Sequence, residues 1–148
     1  MLLDDFIPPT KYCQICNNNV GITKINGWFG TDGTITPLHY DSYDNFLVQI
    51  VGYKYIRLYD RSQTSKLYVA SETSNETKEN EKDVNKSMSQ NNISPVDVEN
   101  YNEKEYPLFS AALFTEYILK PGDTLFIPDG CWHYVRSLSC SFSLNFWF

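Results

Sequence analysis

Short runs in which large apolar residues alternate with polar ones occupy both ends of this chain, and a stretch without that pattern lies between them. Ile22 to Gly30, Asn45 to Val51 and Lys54 to Tyr59 have the length, the β-branched and aromatic content and the bounding glycines of strands. Thr115 to Leu119, Thr124 to Ile127, His133 to Leu138 and Ser141 to Trp147 repeat the pattern further on. Val51-Gly52-Tyr53 predicts a hairpin, and Pro121-Gly122-Asp123 predicts a turn in which proline presets φ and glycine tolerates its positive range. One short stretch, Asn102 to Ala111, is the helical candidate. Many short strands separated by turns predict a mainly all-β domain with a closed or sandwiched antiparallel sheet, and no segment repeats another.

The stretch between the two strand groups, at about residues 70 to 94, is rich in Asn, Ser, Glu and Lys and almost free of large apolar residues. It cannot bury enough surface to offset its ordering entropy and is expected to be a disordered surface insertion, which costs little to close. The 148 residues suit one domain, and eleven Tyr, nine Phe and three Trp favour half-buried strands over helical bundles. A formal net charge of -6 argues against nucleic acid as a direct partner and favours a basic peptide. Met1 to Pro9 has neither a basic n-region nor an apolar h-region, and no run approaches a membrane span. The expectation is a soluble protein of the nucleus and/or cytoplasm, with no membrane partner and its four cysteines reduced.

Candidate chemistry rests on scarcity. The chain has two histidines, in Pro37-Leu38-His39-Tyr40-Asp41 and in Cys131-Trp132-His133. In an extended segment the side chains at i and i+2 share a face, so His39 and Asp41 can grip one ion while His133 completes the set from a distant strand. Two imidazoles and one carboxylate leave coordination positions open, as in non-haem iron oxygenases. By itself His-x-Asp is a weak signal, and its context, a strand leading through Gly122 to Pro128 into Trp132-His133, strengthens it. The helical His-Glu-x-x-His spacing of zinc hydrolases is missing. Lys54 is placed to meet a co-substrate carboxylate, with Asn45 and Thr36 adding uncharged hydrogen bonds, although each is also an ordinary strand or turn residue.

Several longer blocks carry a resemblance: Asn26-Gly27-Trp28-Phe29-Gly30, Gly33-Thr34-Ile35-Thr36-Pro37-Leu38-His39, Asn45 to Gln49, Lys54 to Tyr59, Val96 to Asn100, Leu125 to Pro128, and Trp132 to Arg136. Through them the chain resembles the catalytic part of the Jumonji-C domain family, which are iron(II) and 2-oxoglutarate dependent oxygenases. The resemblance implies a double-stranded β-helix (a cupin-like jelly roll), N-terminally incomplete because the family's helical region and first strands would precede Met1. A tyrosine that contacts 2-oxoglutarate is implied to go with them. It implies Fe(II) held by His39, Asp41 and His133, 2-oxoglutarate held by Lys54 with Asn45 and Thr36, O2 as second co-substrate, and Trp28 on the substrate side. The implied reaction hydroxylates a protein side chain, of the arginyl hydroxylase or histone lysine demethylase type, on a protein or peptide with Arg or methyl-Lys.

Three rival readings keep some of these residues. A cupin-type metalloenzyme that does not use 2-oxoglutarate needs the three ligands and not Lys54. A non-catalytic Jumonji-C binding module needs neither turnover nor co-substrate. Cys13-Gln14-Ile15-Cys16 could open a zinc site, but a second close pair is lacking because Cys131 and Cys140 are far apart.

Overall fold

The computed structural model describes residues 21–69 and 92–148. Eight strands form two antiparallel sheets. β1 (Lys24–Gly30), β8 (Ser141–Trp147), β3 (Asn45–Val51) and β6 (Thr124–Ile127) make one sheet in the order 1-8-3-6. β2 (Ile35–His39), β7 (Trp132–Ser137), β4 (Lys54–Tyr59) and β5 (Thr115–Leu119) make the other in the order 2-7-4-5. Consecutive strands therefore mostly change sheet, which is the cupin-like jelly roll, and the predicted strands are recovered to within two residues at each end.

Period-two alternation decides which face each residue serves. Asn45, Leu47 and Gln49 are buried facing the other sheet, whereas Phe46, Val48 and Ile50 are half-buried on the outer face. A small cluster of Leu47, Ile56, Leu119 and Ile127 fills the space between the sheets. A larger one lies on the outside of the second sheet, where Leu38, Tyr59, Trp132 and Tyr134 pack beneath Leu67, Val96, Val98 and Phe109. The segment from residue 92 to 112 is thus a strap over the second sheet. It is tied there by Arg136, which donates to Glu99 at 2.9 Å, and by the Tyr134 hydroxyl, which donates to the same carboxylate at 2.6 Å.

Three expectations need comment. Most of the insertion expected at about 70 to 94, and the Cys13–Cys16 pair, lie outside the described residues. The end of that insertion is ordered, however: Ser94 is 3 % exposed and Ile93 bridges to His39, because backbone hydrogen bonds to a neighbouring strand replace the apolar burial that the composition lacks. Asn102 to Ala111 is not a continuous helix. The Asn102 carboxamide accepts from Lys104 N, and Pro107 has no N–H to continue the ladder, so only a single 3₁₀ turn forms at Phe109–Ala111. A second 3₁₀ turn, Arg61–Lys66, was not foreseen. Asp60 caps it by accepting from Ser62 N at 2.9 Å.

The hairpin expected at Val51-Gly52-Tyr53 does not form, because β3 and β4 belong to different sheets, but the glycines of the β3–β4 and β5–β6 connections are both required by the backbone. Gly52 sits at φ 71° between β3 and β4, and a Cβ there would run into the Cys140 carbonyl oxygen. Gly122 sits at φ 92° in the β5–β6 turn, which Asp123 closes by accepting from Lys120 N at 3.0 Å.

Candidate metal centre and adjoining pocket

The three predicted ligands meet at one end of the space between the sheets. One ligand atom each from His39, Asp41 and His133 lie within 4.8 Å of one another. A β-bulge makes this possible. Thr36 pairs with Val135 and His39 pairs with His133, so two residues of β2, Pro37 and Leu38, oppose the single Tyr134 of β7. Pro37 cannot donate to the ladder, and the extra residue resets the phase. Thr36 and His39, three apart, consequently both line the pocket, while Leu38 turns outward and is fully buried in the outer core.

Backbone carbonyls fix both rings. His39 Nδ1 lies 2.8 Å from the Pro37 oxygen and His133 Nδ1 lies 3.0 Å from the Cys131 oxygen. Since a carbonyl only accepts, each Nδ1 carries the proton and each Nε2 keeps a lone pair for a cation. Burial, with His39 close by, pushes the His133 pKa down to about 3, so this imidazole is neutral. Its Nε2 stands 3.7 Å from Asp41 Oδ2, a separation that reflects two ligand atoms aimed at a shared point, not an ion pair. Burial raises the Asp41 carboxyl above its ordinary range, opposed in part by His39, and a cation between them would remove that penalty. Two imidazoles and a carboxylate, which leave coordination positions open, fit a divalent transition ion.

The centre opens into a cleft lined by Trp28, Thr36, Asn45, Lys54 and Asn145 among others. Lys54 is 5 % exposed, and among the described residues its one hydrogen bond is donated to the Trp28 carbonyl at 3.3 Å. No carboxylate pairs with it among the described residues, and burial lowers its pKa to about 8. A buried cation with no counter-ion among the described residues, across a cleft from a metal-type triad, is arranged to receive an anion. Trp28 stands at the rim, 45 % exposed.

Asn145 was not singled out in the sequence. It is 3 % exposed, lies opposite Leu47 in the β3–β8 ladder, and its Oδ1, like that of Asn45, has no hydrogen-bond partner among the described residues. Asn26 Nδ2 and Trp147 Nε1, on the same inner face, are likewise buried atoms with no partner among the described residues. The available signal was alternation: Ser141, Ser143, Asn145 and Trp147 form one face of β8, an unusually polar set for an interior.

A jelly roll holding two histidines and one carboxylate at its open end defines a cupin-type metal-binding domain. The chain belongs to the cupin-like domain family, which matches residues 5–148. Among curated proteins it is 50 % identical to the JmjC domain-containing protein F of Dictyostelium discoideum, over 99 % of this chain and 32 % of that protein. It is 43 % identical to lysine-specific demethylase 8 of Xenopus tropicalis, over 99 % of this chain and 29 % of that one. The chain thus spans about a third of the length of these relatives, and the Jumonji-C resemblance covers nearly all of it. Among solved structures it is similar to YcfD, a ribosomal oxygenase from Escherichia coli in complex with cobalt and 2-oxoglutarate. The TM-score is 0.52 at 19 % identity, over 95 % of this chain and 28 % of that one, a likeness of fold.

Proposed function

We propose that this chain is the metal- and co-substrate-binding part of an iron(II) and 2-oxoglutarate dependent oxygenase that hydroxylates a side chain of a protein substrate. One observation carries the reading: a converged His39, Asp41 and His133 triad shares a cleft with a buried lysine that has no counter-ion among the described residues. Similarity to relatives named JmjC proteins and lysine-specific demethylases supports it. Iron(II) with 2-oxoglutarate and O2, when bound, supplies oxidative decarboxylation to succinate and CO2 coupled to hydroxylation of a C–H bond.

The protein's own part is positional. His39, Asp41 and His133 hold the ion through two lone pairs and one negative charge. Lys54 pairs with the far carboxylate of the co-substrate, which restores the charge that burial penalises. Thr36 on β2 and Asn45 on β3, which line the same cleft from the two sheets, supply uncharged hydrogen bonds. Leu47, Ile127 and Val135 line the cleft between these groups and keep water from it. Trp28 at the rim offers an aromatic face to a cationic side chain, arginine or methyl-lysine, and the acidic chain attracts such a substrate. Hydroxylation of an N-methyl group releases formaldehyde, so hydroxylase and demethylase outcomes begin with the same C–H chemistry.

The test is succinate formation from 2-oxoglutarate by the purified protein with iron(II), ascorbate and a panel of Arg- and methyl-Lys-containing peptides. Turnover that His133→Ala and Lys54→Met both abolish is the expected result. Succinate formation that survives Lys54→Met would show that a group other than Lys54 anchors 2-oxoglutarate, and iron binding without any succinate would favour a binding module or a cupin-type metalloenzyme that does not use 2-oxoglutarate.

A further inference from the structure

The strand that carries His39 and Asp41 has a neighbour on each side. On one side β7 brings His133 opposite His39. On the other, residues 92–94 run antiparallel to it with Ile93 opposite His39. The bulge at Pro37 and Leu38 leaves this part of β2 with few bonds to β7, and the strap satisfies the rest: Ser94 N donates to Leu38 O at 2.8 Å and Tyr40 N donates to Asn92 O at 3.1 Å. Asn92 adds a side-chain contact, its Nδ2 donating to Tyr40 O at 2.9 Å. Both backbone polar groups of Tyr40 are therefore held by one residue. Tyr40 is the residue between the two ligands, and its ring packs edge-on against Trp132, 4.8 Å between centroids, next to the third ligand His133. The strap end is itself anchored, because Ser94 Oγ donates to Leu67 O at 2.6 Å inside the outer core.

We infer that Asn92 is a positioning residue for the metal centre: its carboxamide and carbonyl clamp Tyr40, which sets the relative orientation of His39 and Asp41 and, through Trp132, their register with His133. The inference rests on the reading of these three residues as metal ligands. Partners that orient ligands without touching the ion change metal affinity by about 10- to 100-fold when removed. A residue that served the strap alone would change stability and leave the ion's environment untouched.

Cobalt(II) is the probe, because its visible absorption reports ligand geometry as well as affinity. Asn92→Ala is expected to bind cobalt(II) about tenfold more weakly than the unsubstituted protein, with an altered visible spectrum. Lys66→Met is the control. It removes a 2.9 Å hydrogen bond from Lys66 Nζ to Ala111 O at the far end of the same strap and should lower the melting temperature while leaving cobalt affinity and spectrum unchanged. Asn92→Gln, which keeps an amide donor, should recover part of the lost affinity. Should Asn92→Ala fail to fold, Asn92→Leu, close in volume and unable to donate, is read in its place. A folded Asn92 variant with normal cobalt affinity and spectrum overturns the inference and leaves the metal site standing. Failure of the unsubstituted protein to bind cobalt at all overturns the metal reading itself.

Discussion

At the scale of single residues, the most consequential side chain is Lys54. Burial lowers its pKa to about 8 from the ordinary 10.5, so between those values the unfolded chain binds the proton that the folded one has released. Stability of the ligand-free protein should therefore rise as pH increases from about 8 toward 10.5, and Lys54→Met should remove that part of the pH dependence. Binding of 2-oxoglutarate should move the opposite way, weakening above about pH 8 as the lysine loses its charge. Melting curves and co-substrate titrations across this range check both signs, and a co-substrate affinity insensitive to pH would speak against Lys54 as its anchor. Asn145 gives a second prediction. Its Oδ1 is buried with no partner among the described residues, a state that costs about 1–3 kcal/mol, so Asn145→Leu should leave the melting temperature of the ligand-free protein unchanged or raise it. A clear fall would show that the amide has a structural role.

At the scale of elements, seven of the eight strands were legible because they are short and alternating and most have a glycine or proline at one end, whereas β2 was not among the expected runs; period-two alternation puts Lys54 and Asn45 on the inner face. What was not legible arises between elements. Thr36 and His39 share a face because of a bulge that depends on the β7 register, and Asn145 faces the cleft through a pairing with β3 some hundred residues earlier in the chain. The helical pattern of Asn102 to Ala111 yielded to turn chemistry at Asn102 and Pro107. Two element-level predictions follow from contacts. Gly52→Ala should cost more than about 1 kcal/mol, since it adds a Cβ at positive φ against the Cys140 carbonyl, and it should weaken co-substrate binding because Lys54 begins the very next strand. Denaturant unfolding measures the first effect and calorimetric titration the second. Glu99, whose carboxyl is held below its ordinary range by Arg136 and then Tyr134, docks the strap on β7. Its contribution is present above the ordinary carboxylate pKa and is lost as pH falls through the lowered one, so Glu99→Gln should destabilise the protein at neutral pH and make little difference in strong acid.

At the scale of the whole molecule, two sheets and a strap converge on one cleft. β2 supplies His39 with Asp41 just beyond it, β7 supplies His133, and β4 supplies Lys54. The ligand set was visible in the sequence because the chain has only two histidines, and the resemblance named the same three residues. The support around them was not visible: residues 92–94 come from a stretch that composition alone assigns to disorder, yet they flank the metal strand. The central claim is that one cleft holds a divalent metal and 2-oxoglutarate together, and it is tested most directly by anaerobic titration of the purified protein with iron(II) and then 2-oxoglutarate, following the visible charge-transfer absorption of the chelate. The account predicts a saturable band that needs both additions, disappears in His133→Ala and requires far more 2-oxoglutarate in Lys54→Met. A folded protein that binds iron but shows no band at any 2-oxoglutarate concentration would contradict it.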